Sequence, residues 1–287
     1  MTRGEQISRE KIDRAKNMTS FRFTASVLIR LAACLWFVAA NTGFAAEYRV
    51  AHCLKGCPVE INAGNSLLAR TSYALSFNLD RGAADWLAYR MRPGALGIAT
   101  SLSRGWVDDP DLPDLEQTIA FQDQSAEALG LIRARLIPLV SVAGTPYWHE
   151  ANLLSASTLR TENLDRGAWS GLEWSLRNLV SRRGDVFVVT GPIYGPEHDP
   201  SHEPSIADTG LPIAFFKLVA TPSGALSVFR FDQAFGVYLH HCEARSTLAE
   251  IETETGLRFY PEWAKAEFGH ETLDTQLGCR KGSPPLR

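Results

Sequence analysis

The stretch Leu164-Asp165-Arg166-Gly167-Ala168-Trp169, running on through Leu172-Glu173 to Val180, decides the architecture of this chain. From Gly167 to Val180 the apolar residues Trp169, Leu172, Leu176 and Leu179 recur at the spacing of one helix face. Asp165 stands just ahead of that run, where a side-chain oxygen caps exposed N–H groups. Downstream, Asp185 to Thr190 is a short β-branched run stopped by Gly191-Pro192, which predicts a central strand. Upstream, residues 94–125 read as loop-rich, with turn signals at Asp108-Asp109-Pro110-Asp111 and Pro113. Beyond them, Tyr73, Leu75 and Phe77 alternate along residues 71–77. Asp80-Arg81-Gly82 makes a turn and Trp86 to Met91 returns, so the pair predicts a hairpin broken by Pro93-Gly94. Toward the C-terminus, Ile213 to Ala220 and Ala225 to Phe231 form a second strand pair, and Leu248 to Gly256 a short helix stopped by glycine. Strands toward both ends with a helix between them predict an α+β fold, a central mixed or antiparallel sheet flanked by helices.

At 287 residues, 45% hydrophobic and 21% charged, the chain has a globular composition and enough length to bury a sizeable core. Its first thirty residues carry seven Lys/Arg (Arg3, Arg9, Lys11, Arg14, Lys16, Arg22 and Arg30) against Glu5, Glu10 and Asp13. An apolar stretch from Leu31 to Ala40 and the small residues around Gly43, Ala45 and Ala46 follow. This order predicts a secretory signal over 1–46, and Met18 makes a tidier start than Met1. The apolar part falls short of the roughly 20 residues that a membrane span needs, so no stable membrane association is expected after the signal is removed. Residues 47–287 carry no repeat and no long linker, and predict a single exported domain, periplasmic or extracellular. Removing the signal takes the formal charge from −3 to −7. An acidic protein has no global attraction for nucleic acid or anionic lipid, so any phosphate binding depends on a local cluster.

Outside the signal the cysteines are Cys53, Cys57, Cys242 and Cys279, which allow three pairings. The short spacing of 53 and 57 suits a small closed loop, with 242 and 279 pairing near the other end. A zinc site is the competing reading, but His52, His240 and His241 lack regular ligand spacing, and an oxidising compartment favours disulfides.

The chemistry-bearing residues cluster between Arg104 and Glu173. Taken singly each has an ordinary reading: Glu173 as a solvated carboxylate, Asp165 as a cap, Arg133 and Arg135 as two same-face residues of a strand. His149, His198 and His202 read as surface histidines, His149 doubling as a substitute base. The order of motifs says more. Ser103-Arg104-Gly105-Trp106 precedes Ile132-Arg133-Ala134-Arg135-Leu136-Ile137-Pro138-Leu139. Asn152 opens an Asn-x-x-Ser element, and Leu164-Asp165-Arg166-Gly167-Ala168-Trp169 leads to Leu172-Glu173. Val189-Thr190-Gly191-Pro192 and Phe215-Phe216-Lys217 complete the series.

From Cys53 to Cys279 this series resembles the secreted DNA/RNA non-specific endonucleases of the ββα-metal (His-Me finger) class, of the Serratia type. The resemblance implies two disulfides, a ββα-metal finger-like active-site element, Mg²⁺ as cofactor, and DNA, RNA or a phosphate-bearing ligand as partner. In that family Asp-Arg-Gly-His carries the general-base histidine; here those positions read Ile132, Arg133, Ala134 and Arg135. Arginine stays protonated near neutral pH and cannot take a proton from water. The family's metal-ligating asparagine corresponds to Asp165, a competent oxygen ligand. Glu173 corresponds to the carboxylate that orients metal-bound water, Arg104 to the arginine that helps hold the phosphate and Arg133 to the signature arginine. Arg104, Arg133 and Arg135 together are expected to make a positive site for a phosphate oxyanion. The family's Ser-Asn-Ile-Thr-Pro-Gln segment is replaced by Ser155-Ala156-Ser157-Thr158-Leu159-Arg160. The expectation is a metal-dependent phosphodiester hydrolase with impaired catalysis; the alternatives are an inactive nucleic-acid or phosphate binder and an exported interaction module.

Overall fold

The computed structural model describes residues 50–280 except 61–64, 113, 114, 116–118, 120–122, 124, 125, 128, 196–209, 264–268 and 270. The expected signal and the expected surface histidines His198 and His202 lie outside these residues. Ten strands are described: β1 Val59–Glu60, β2 Ser66–Ala69, β3 Ala74–Asn78, β4 Ala83–Met91, β5 Leu131–Arg135, β6 Ser157–Thr161, β7 Val186–Tyr194, β8 Pro212–Ala220, β9 Leu226–Asp232 and β10 Leu257–Arg258. Six of them form one antiparallel sheet in the order β2-β3-β4-β7-β8-β9. The expected hairpin is β3-β4, turning at Gly82 with φ +64°, and the expected C-terminal pair is β8-β9.

Side-chain alternation splits this sheet into two apolar faces. On one face Leu75, Tyr89, Val188, Phe215, Val219 and Phe229 pack against a helix, α1 Ser170–Arg183, through Leu172, Leu176, Leu179 and Val180. The other face, with Trp86, Val189, Phe216 and Leu218, is covered by Ile251 of α2 (Leu248–Thr255), Phe259 and Tyr260. Thr247 and Glu250 close a capping box at the start of α2, and Gly256 ends it at φ +69°. The disulfides are Cys53–Cys57 and Cys242–Cys279. The second leaves Cys242 no thiolate to offer a metal, although His240 and His241 stand beside it.

Three expectations change. The strand after α1 does not stop at Gly191-Pro192 but continues to Tyr194. Pro192 stands opposite Phe215, and a Cβ on Gly191 would collide with the Asp85 carbonyl. The loop-rich region holds helical backbone at Leu115, Ile119 and Asp123, as do Ala126 and Glu127 just beyond it, with Leu115, Ile119 and Ala126 buried. Asp165 is not the expected N-terminal cap. The helical segment starts at Glu162, capped by Thr161, and Asp165 lies inside it at φ −61°. Asp165–Trp169 is a wide turn kinked at Gly167 (φ −89°, ψ −115°), where a side chain would press on the Val237 backbone.

His241 gives a test of this packing. It is 2% exposed, and its Nε2 lies 3.0 Å from the Leu277 carbonyl. Burial pushes its pKa down to about 4; the Leu277 contact opposes this and His240 adds to it. The unfolded chain takes up a proton below about 6.5 that the folded chain refuses, so this stability is present above that pH and lost as pH falls toward 4. Urea unfolding should show a loss on the order of 2–3 kcal/mol over that window, with His241→Asn flattening the slope. An equal slope in both proteins would remove His241 from the account.

Candidate functional site

The site stands on a β-β-α unit. Strands β5 and β6 pair antiparallel, Arg135 opposite Ser157 and Ile132 opposite Arg160, and β6 runs directly into the helical segment ending in α1. Between the two strands the chain passes through the 3₁₀ turn Trp148–Asn152, which brings Asn152 back beside Arg135. Arg135 Nε and Nη2 donate to Asn152 Oδ1 at 3.0 and 2.6 Å, and Nη2 also donates to the Arg104 carbonyl at 2.7 Å. The Trp106 ring lies 4.4 Å from the same guanidinium. An arginine has five N–H donors, and among the described residues the Nη1 amino group makes no hydrogen bond, which leaves its two for a ligand.

The loop that carries Arg104 is clamped rather than free. Asn152 Nδ2 donates to the Ser103 carbonyl at 2.9 Å, and Val107 forms a backbone bridge to Leu153. The acidic turn read from the sequence is the clamp's other jaw. Asp109, 3% exposed, takes Arg70 Nη2 at 2.5 Å and the Ser155 hydroxyl. Arg104 itself is exposed, and its charge, after burial, holds the Arg135 pKa below the ordinary arginine range, with Asp165 opposing. A guanidinium starts from so high a pKa that it stays a cation at neutral pH.

Two residues that the sequence did not single out lie beneath this surface. Arg160 is fully buried; its Nη1 donates to Asp165 Oδ1 at 2.7 Å and its Nη2 to the Arg135 carbonyl at 3.2 Å, while its guanidinium lies 3.7 Å from the Trp169 ring. Burial lowers its pKa to about 10, opposed by Asp165, so it too is charged near neutrality. Lys217 shares the inward face of β8 with Phe215 and Val219. It is fully buried, pairs with Glu173 and lies 3.9 Å from Trp169. Burial and then the Arg160 charge push its pKa well down. Glu173 is 4% exposed because it occupies the stripe of α1 that faces the sheet.

Arg104, Arg135 and Asp165 thus come together, with Glu173 one layer deeper. Arg133 is turned elsewhere: Nε and Nη2 donate to Asp123 Oδ1 at 2.9 and 2.6 Å, and Nη1 to the Ser157 hydroxyl at 2.8 Å. His149 is exposed and packs edge-on to Trp148; among the described residues it has no hydrogen bond to the arginine centre. Arg160 had one sequence signal, an arginine five positions ahead of Asp165 on the inward side of a strand. For Lys217 the signal was its place in the inward alternation of β8, since a buried lysine requires a partner.

The carboxylates here do not form a vacant donor set for a divalent ion. Asp165 already faces Arg160, and Glu173 already faces Lys217. Arg104 and Arg135 add two further positive charges close by, so Asp165 already stands among three arginines. Glu173 Oε2 is buried without a hydrogen-bond partner among the described residues, but each carboxylate already has a cation on its other oxygen. A divalent ion would have to enter against those charges, so this donor set does not fit the ion that the family resemblance implies.

A β-β-α unit against an antiparallel sheet, with arginines at its surface, defines a nuclease-type scaffold. The family model for DNA/RNA non-specific endonuclease matches residues 54–266. The Serratia marcescens protein "Nuclease" is 31% identical over 242 residues, covering 80% of this chain and 89% of that protein. "Nuclease C1" of Cunninghamella echinulata var. echinulata is 26% identical over 209 residues, covering 67% and 82%. A chain in the crystal structure of the EndoG/EndoGI complex superposes with a TM-score of 0.62 at 15% identity, covering 78% of this chain and 96% of that one, and shows the shared fold. The chain belongs to the DNA/RNA non-specific endonuclease family.

Proposed function

We propose that this protein is an exported phosphodiester-binding member of its family in which hydrolysis is disabled. The carrying observation is Arg135, the residue at the general-base position, fixed by Asn152 and the Arg104 carbonyl as a permanent cation. A base must be unprotonated near the working pH, and losing one costs on the order of 10²–10⁴ in rate. What that guanidinium does well is donate to a phosphate oxygen, and Arg104 beside it adds a second charge. Two disulfides support an oxidising compartment, in line with removal of residues 1–46 and a single domain over 47–287. In this reading Glu173 and Arg133 support the site, through Lys217 and through Asp123 and Ser157, rather than touching ligand. Mg²⁺, the family's expected ion, enters as an assay condition.

The test is incubation of the purified chain with plasmid and RNA in Mg²⁺ or Mn²⁺, beside a binding measurement on a labelled single-stranded oligonucleotide. No cleavage with measurable binding is the expected result. Cleavage abolished by Asp165→Ala would establish a working nuclease and sink the proposal; neither cleavage nor binding would favour an interaction module. Within the binding arm, Arg104→Ala should weaken affinity for all sequences alike and reduce the slope of log K against log salt by about 1. An unchanged slope would place the anion site elsewhere.

A further inference from the structure

We propose that Arg160 is the resident cation of this site, an internal counter-charge to Asp165 that excludes a divalent metal and makes ligand binding metal-independent. Arg160 is held through both its amino groups and by two aromatic rings, while its buried Nε has no hydrogen-bond partner among the described residues. Its side chain has no solvent exposure, and its two amino groups donate to Asp165 Oδ1 and the Arg135 carbonyl. Its guanidinium lies in the corner of the edge-to-face pair Trp169 and Phe215, at 3.7 and 5.0 Å from their ring centres. A guanidinium packed this way does not swing aside to admit an ion. Taking it away from Asp165 would leave a desolvated charge without its partner.

Electrostatics points the same way. A divalent ion bound by Asp165 would lie within a few ångströms of Arg160 in a partly buried site, where like charges repel far more strongly than in water. The Arg135 guanidinium, close enough to Asp165 to feel its charge, adds to that repulsion. The charge that a metal would bring to a phosphate group is already present, covalently attached, as arginine. Asp165 remains about one-third exposed, so the exclusion is electrostatic rather than a matter of access. It acts through Arg160, a residue that itself touches no ligand.

Mn²⁺ titration followed by electron paramagnetic resonance tests this on the full mature chain. The native protein is expected to show no saturable site, whereas Arg160→Gln gains one at least roughly tenfold tighter than any native signal. Adding Asp165→Ala to that variant should abolish the gain. A saturable native site lost in Asp165→Ala overturns the proposal, and so does a natively folded Arg160→Gln that gains nothing.

Should Arg160→Gln fail to fold by near-ultraviolet circular dichroism, the native chain still decides the matter. Its affinity for the labelled oligonucleotide should be the same in EDTA and in Mg²⁺, and a tenfold tightening in Mg²⁺ overturns the proposal. This second measurement rests on the phosphodiester-binding reading. An oligonucleotide that binds in neither buffer sinks that reading and leaves the Mn²⁺ titration of the native chain to decide this one.

Discussion

A chain carrying Arg135→His, Asp165→Asn and Arg160→Gln together is expected to cut plasmid DNA in Mg²⁺ buffer about 10²–10⁴-fold faster than the native chain, the range that restoring a general base typically spans. The three changes form one unit. Histidine at 135 supplies a group that can be neutral near pH 7, but on its own it inherits the neighbouring Arg104 charge, which depresses its pKa and weakens it as a base. Histidine alone also leaves Asp165 paired to Arg160, with two carboxylates still facing buried cations. Removing both members of that pair avoids stranding either charge, the costly outcome at a buried site. Groups that act together are strongly non-additive, so Arg135→His alone should recover only a small part of the gain. The readout is the initial rate of supercoiled plasmid loss, with near-ultraviolet circular dichroism as the control for folding. A folded triple variant that binds oligonucleotide and cuts no faster than the native chain would show that the loss of catalysis is not confined to these three positions.

The sequence made the sheet legible wherever alternation was undisturbed. Tyr73, Leu75 and Phe77 against the Trp86 to Met91 return gave β3-β4, and Ile213 to Ala220 against Ala225 to Phe231 gave β8-β9, because period-two patterning and turn residues are local properties. Gly191-Pro192 misled because it carries the local signature of a stop. The register that seats Pro192 opposite Phe215, and the close approach of Asp85, are tertiary facts. The helical residues around Ile119 were hidden behind the Asp-Pro turn just before them, with few apolar positions to mark the face. Thr161 took the capping role expected of Asp165, because β6 runs into the helix without a break.

At the site, Arg104, Arg135, Asp165 and Glu173 were found through resemblance to the family. Their partners were not legible, since Asn152, Arg160 and Lys217 meet them through strand register and helix packing rather than through spacing. Partners, more than identities, decide what these residues do. Asp165 reads as a metal ligand until Arg160 is beside it, and Glu173 reads as a water-orienting carboxylate until Lys217 reaches it across the sheet.

Lys217→Met is expected to destabilise the fold by about 3–5 kcal/mol, the cost typical of breaking a buried pair from one side. Glu173 would be left 4% exposed, its Oε1 losing the ammonium and its Oε2 already without a hydrogen-bond partner among the described residues. For a domain of this size each kcal/mol corresponds to roughly 2–4 °C, so Tm should fall by about 6–20 °C. Relief of the repulsion between Lys217 and Arg160 offsets part of this, since both cations lie against Trp169. The double variant Lys217→Met, Glu173→Leu separates the two contributions. Replacing both charges with apolar groups of similar size removes the stranded carboxylate and should return more than half of the lost stability. A single variant within about 1 kcal/mol of the native chain would mean that Glu173 is solvated or protonated there, and that the pair does not hold α1 against β8. Recovery in the double variant with unchanged oligonucleotide affinity would place the pair in the scaffold. Recovery of stability together with a drop in affinity would instead make Glu173 and Lys217 the link that sets the height of Trp169, and through it of Arg160, beneath the phosphate-binding arginines.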